Sequence, residues 1–146
     1  MLKVAAAGDN LDTGEIIKFI NSFALNDHGQ VAFTAYGTGH QPLGLFLATP
    51  AQPSITSAKL KTKGGVLQLV LDGANFITND SVIQVNGTAL QNLKYPVAFQ
   101  QAGGTITRLV SKDPNLSQLL QAGQMVQITV INSLTAQTSA GFAFTR

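Results

Sequence analysis

The chain has 146 residues, 45% of them hydrophobic and 11% charged, with no cysteine, no tryptophan and a formal charge of +2. This balance suits a turn-rich β protein and excludes a disordered or helix-dominated chain, and the missing cysteines exclude a disulfide framework, a thiolate nucleophile and cysteine metal ligation. The charge is uneven: residues 1–50 hold two lysines against four acids, and residues 51–146 hold seven Lys or Arg against three Asp. Read along the chain, this mild basic excess lacks the clustered Arg and Lys of a nucleic-acid surface, so no nucleic-acid partner is expected.

Apolar residues recur with period 2 in short runs broken by Gly, Asn, Asp and Pro, the pattern of strands and turns. Strands are expected first over residues 3–7, 15–20, 30–36 and 43–48. Between the first two, Asp9, Asn10, Asp12, Thr13 and Glu15 gather oxygen ligands around Gly14. Hard cations prefer such ligands, so Asp9, Asp12 and Glu15 form a candidate calcium set, with a polar turn as the alternative; Leu11 in a ligand position departs from an EF-hand loop. Asn26-Asp27-His28-Gly29 stands directly before the alternating run from Gln30 to Phe33 and predicts a tight hairpin. Thr49-Pro50-Ala51-Gln52-Pro53 has two prolines and no periodicity, which divides the chain into a unit over 1–48, a linker at 49–52 and a second unit over 53–146.

Three blocks of the first unit, Gly8-Asp9, Leu25 to Phe33 and Gly44-Leu45-Phe46-Leu47, resemble one copy of a bacterial surface-protein β repeat of the Leu-Asn-Asp-x-Gly-x-Val-Ala-Phe type. The resemblance covers about a third of the chain and implies a small antiparallel β unit, like a single propeller repeat. Repeats of this kind bury their apolar faces against neighbours. The unit is therefore expected to dock on the second unit or to self-associate as a homo-oligomer, or to end a longer array.

In the second unit a proline-led start, Pro53 to Ser57, leads to the run from Gly64 to Phe76, which ends Gly73-Ala74-Asn75-Phe76. There follow Ser81-Val82-Ile83-Gln84-Val85-Asn86-Gly87, the run from Gly123 to Asn132, and Thr138 to Thr145 with Phe142 and Phe144. In that order these blocks resemble the IPT/TIG family, and the resemblance implies an immunoglobulin-like β-sandwich within an all-β chain. Leu67, Leu69 and Leu71, then Val126, Ile128 and Val130, then Phe142 and Phe144 fall on single strand sides and predict the sandwich core. Asn86-Gly87 is a strong type I′ hairpin signal, and residues 115–123 suit one helical turn. Phe76 is expected to close the core, with Asn75 bonding turn backbone. Residues 93–113 do not follow the family pattern.

Catalytic chemistry is hard to assemble from these residues. His28 and His40 both lie in Gly-rich turn or loop sequence, and no phosphate loop or paired-carboxylate motif is present, so no enzyme is expected. Lys59, Lys61 and Lys63 alternate after the first strand of the sandwich, forming either a basic stripe or a guard against edge pairing. Asn86-Gly87-Thr88 and Asn115-Leu116-Ser117 satisfy the glycosylation triplet. No run approaches the ~20 apolar residues of a membrane span, so no membrane insertion is expected; an export signal is expected outside the given chain. Together these features lead to a non-catalytic structural or adhesive module, extracellular or at the cell surface of a bacterium, without a cofactor unless calcium binds. The alternative is a carbohydrate-binding accessory module, for which Tyr36 and Tyr95 are the candidate aromatic residues.

Overall fold

Short alternating runs separated by turn residues become antiparallel strands throughout the computed structural model, which describes residues 5, 7–11, 14–26, 30–101 and 105–146. By contact the chain divides into two units, Met1–Pro50 and Ala51–Arg146. No helix among the described residues is long and apolar enough to cross a membrane.

The first unit is a three-stranded sheet in the order β1 (Phe19–Leu25), β2 (Val31–Tyr36), β3 (Pro42–Ala48). Asn26 and Gln30 clasp the ends of the β1–β2 hairpin: Asn26 N donates to Gln30 O, and Gln30 N returns a 3.0 Å bond to Asn26 Oδ1. Asp27, His28 and Gly29, between them, lie outside the described residues. Ile17, Phe33 and Ala35 form a small buried core, with Ile20, Val31, Leu43 and Phe46 packed on it.

Two strand expectations need correction here. Residues 15–20 do not form one strand: Ile16 makes an isolated bridge to Asn10, Ile17 is tied to Gly8 and Asp9 by backbone bonds, and the strand starts only at Phe19. It then runs on through Asn21 and Ser22, past the expected end at residue 20. A register shift between Ile20 and Ser22 takes up Asn21 as a bulge, so apolar alternation resumes at Phe23. Of the expected strand over 3–7, Lys3, Val4 and Ala6 lie outside the described residues, and Ala5 and Ala7 belong to no strand.

The second unit packs two antiparallel sheets. One has the order β4 (Ser54–Lys63), β5 (Val66–Ile77), β9 (Thr105–Ser111), β8 (Leu93–Lys94). The other has the order β11 (Gln137–Thr138), β10 (Met125–Asn132), β6 (Ser81–Val85), β7 (Thr88–Ala89), and β12 (Phe142–Thr145) also pairs with β10. Leu69, Leu71, Phe76, Ile106 and Leu109 of the first sheet meet Ile83, Val85, Val126, Ile128 and Val130 of the second in one buried core. Leu116 and Leu120, in and just after the short helix α1 (Leu116–Leu119), are also buried in it, and Phe142 and Phe144 pack at its margin. Each large side chain buried this way contributes about 1.5–3 kcal/mol.

The Gly-x-Asn-Phe block is a bulged corner in β5. Register with β9 slips between Asp72 and Phe76, and Asn75 adopts a left-handed φ of 60°. Gly73 is required by close approach: a Cβ there would stand 1.9 Å from Ser54 O and 2.5 Å from the ring of Phe76, which is fully buried. Asn75 Nδ2 donates to Gln52 O at 2.9 Å, so the corner also fixes the chain entering β4.

A buried polar latch closes the same end. Asn132 Nδ2 donates to Asn75 O at 2.8 Å, while Asn132 Oδ1 accepts from the Ser81 hydroxyl, which itself accepts from Ile77 N. Because β5 belongs to one sheet and β6 and β10 to the other, these bonds tie the two sheets together. At the β6–β7 hairpin, Asn86 and Gly87 have φ of 47° and 81°, as a type I′ turn needs. Asn86 also exchanges two bonds with the Gln127 backbone and so pins β10.

Gly73→Ala is expected to destabilise the second unit by roughly 3 kcal/mol, the upper end of the range for overpacking, because the obstructing atom is backbone. A urea titration monitored by tyrosine fluorescence or circular dichroism reads this as a lowered midpoint at constant slope. An unchanged midpoint would mean that the corner opens without cost.

Candidate functional site

The N-terminal loop is organised by backbone bonds. Leu11 N donates to Glu15 O, Gly14 N to Leu11 O, and Ile17 N to Asp9 O, which ties residues 8–11 to residues 14–17. Of the candidate calcium ligands, Asp9 and Glu15 lie in this loop and Asp12 lies outside the described residues. Among the described residues no group of three or more His, Asp or Glu is placed to hold a metal.

A second feature lies where the loop meets the sheet. The rings of Phe19 and Tyr36, directly opposite in β1 and β2, stack with centroids 4.8 Å apart and planes 3° from parallel. His40, exposed in a 3₁₀ turn over Thr38–His40, tilts against Phe19 at 5.2 Å. An open cleft of about 460 Å³ is lined by Glu15, Lys18, Thr38 and Gln41, together with Gly14, Ile16, Gly37 and Leu43. The sequence singled out Tyr36 and His40 separately. Phe19 was missed because its partner is 17 residues away and only strand register brings the rings together.

Tyr95 is a different case. Its ring packs against the core of the second unit, and its hydroxyl donates to Ser81 O at 2.8 Å. Burial pushes the phenol up from its ordinary value, and the Asp80 carboxylate adds to the rise. Tyr95 is thus a strut beside the polar latch. His28 lies outside the described residues.

On the outer face of the β4-β5-β9-β8 sheet, Asp72 joins three strands. Its carboxylate accepts from Arg108 Nε of β9 and from Lys59 Nζ of β4 at 3.2 Å, with the Ser57 hydroxyl 3.3 Å away. The Arg108 guanidinium lies 4.1 Å from the centre of the Phe99 ring, a cation–π contact. The bond from Arg108 holds the Asp72 carboxyl below its ordinary value of 3.8; burial opposes this and Lys59 reinforces it. The sequence singles out Lys59 within a lysine stripe but not its link to Asp72, Phe99 and Arg108, since no local spacing joins residues 59, 72, 99 and 108.

Because the folded-state value of Asp72 is depressed, its stabilising effect is complete above the unfolded value and is lost as pH falls through the lower folded value. Asp72→Asn should therefore cost about 1 kcal/mol at neutral pH, and its gap to the wild type should close on acidification below about pH 4. Thermal denaturation across pH measures this. A gap that persists at the acid end would show that packing, not charge, holds the row. Compared with known proteins, the chain matches no family model and no curated sequence.

Proposed function

We propose that the chain is a non-catalytic structural or adhesive module of a bacterial exported or cell-surface protein. In this reading residues 53–146 are an immunoglobulin-like sandwich of the IPT/TIG type, and residues 1–48 are one copy of a bacterial surface repeat. The observation that carries it is the first unit's sheet, which is apolar on both faces. Phe23 (78% exposed) and Leu25 (68%) lie on the face whose rows include Phe33, Phe46 and Val31. Leu45 (76%) and Leu47 (65%) lie on the opposite face, opposite Thr34 and Ala32. Exposed apolar groups of this size on both sides of a sheet mark surfaces meant to be covered by protein, as a repeat is by its neighbours. The second unit supports the reading differently: the polar groups of its Gly73–Phe76 corner and of the Ser81–Asn132 latch are engaged in internal bonds that fix the two sheets.

Light scattering on the purified chain tests the first unit's part. The expected result is concentration-dependent self-association that Leu45→Ser combined with Leu47→Ser abolishes. A monomer at high concentration, with no change on substitution, would remove the packing role.

The Phe19–Tyr36 stack favours a second reading, a carbohydrate-binding accessory module, since sugars pack on aromatic faces. A glycan array would then show specific binding that Tyr36→Ala abolishes and Tyr95→Phe leaves intact. Binding that survives Tyr36→Ala would discard it.

A further inference from the structure

Lysines that are spread along the sequence are gathered by strand register onto one face. In β4 the partly buried Ala58 and Leu60 pack against the core, so the alternating Lys59, Lys61 and Lys63 are directed to the outer side of the sheet. Register pairs Lys59 with Val70 of β5, Val70 with Val110 of β9, and Val110 with Lys94 of β8. Neighbouring rows place Lys61 beside Gln68, and join Ser57, Asp72 and Arg108. Residues directly opposite in an antiparallel pair share a face. Lys112 extends the alternation one step past β9, between the buried Ser111 and Asp113.

Six of the seven cations of residues 51–146 therefore share this face: Lys59, Lys61, Lys63, Lys94, Arg108 and Lys112. Of the three aspartates only Asp72 joins them. Asp113 is buried and accepts from Gln91 N and Asn115 N, and Asp80 accepts from Leu134 N. No described carboxylate pairs with Lys61, Lys63, Lys94 or Lys112. The charged area extends roughly 13 Å along β4 and roughly 14 Å across the four strands. At its centre Gln68, only 7% exposed and in register with Lys61, holds an amide Nε2 with no hydrogen-bond partner. Such a buried donor is uncommon in a finished interior.

We propose that this face binds a linear anionic polysaccharide, whose repeated carboxylate or sulfate groups meet the free lysines. The face suits this partner better than nucleic acid for two reasons. Its one arginine is committed to Asp72 and to the Phe99 ring, and lysine point charges read charge and interval rather than base edges. The inference rests on the reading of the chain as a binding or structural module and adds the partner's chemical class to it.

The test is affinity of the full chain for dextran sulfate and for polygalacturonate, with uncharged dextran as reference, at low and at high salt. Binding to at least one of the charged polymers and not to dextran is expected, and it should weaken steeply with salt. The triple variant Lys61→Gln, Lys63→Gln, Lys94→Gln should lose roughly tenfold or more in affinity. Arg146→Gln, which removes a cation beyond the opposite sheet, should keep it. Circular dichroism and light scattering on each variant verify fold and oligomeric state. Absence of binding to both polymers at low salt, or undiminished affinity in the triple variant, overturns the inference and leaves the self-association result to decide the module reading separately. Tighter binding to a DNA duplex than to either polymer at equal salt also overturns it, in favour of a nucleic-acid face.

Discussion

The second unit depends on one tight contact, the approach of the Ser54 carbonyl to the α-carbon of Gly73. It is the point where β4 meets the Gly73–Phe76 corner at which β5 slips against β9, and no side chain fits in it. Three consequences follow from that corner. Phe76 turns inward and is fully buried; Asn75 takes a left-handed conformation, freeing its carbonyl to accept from Asn132; and β9 must resume pairing out of phase. A polar group buried without a partner costs about 1–3 kcal/mol, so Asn132, with no exposure, is held in place as firmly as the apolar core beside it.

The two faces of the β4-β5-β9-β8 sheet show opposite solutions to the same geometry. Inward, Leu69 and Leu71 of β5 and Ile106 and Leu109 of β9 enter a dry core. Outward, alternate residues supply cations, and a single carboxylate ties three strands. β4 is an edge, and lysines on an edge discourage pairing with another sheet. Guarding an edge and attracting an anionic chain are compatible, because both follow from charge directed away from the core.

The first unit solves a different problem with fewer residues. Among the described residues of the unit, the buried apolar side chains are those of Ile17, Phe33 and Ala35. A core that small stabilises little, and much of the unit's apolar surface stays on its two sheet faces. Its stability is accordingly expected to depend on whatever covers Phe23, Leu25, Leu45 and Leu47.

The all-β class is legible from the amino-acid order alone, because period-2 alternation and turn residues are local properties. So are the turn at Asn86-Gly87, a helical turn within 115–123, where α1 forms, and the core sides of β5, β10 and β12. Residues 105–111 were illegible: Ile106 and Leu109 are both buried although three apart, since the bulge in the partner strand breaks the alternation that would have revealed β9. The start of β1 was misplaced for the same kind of reason, a bulge at Asn21. Which residues meet across the sheets is set by the folded arrangement of the strands. The Phe19–Tyr36 stack, the Ser81–Asn132–Asn75 latch and the assembly of six cations around Asp72 join residues far apart in sequence, and register between strands, which no local pattern encodes, brings each together.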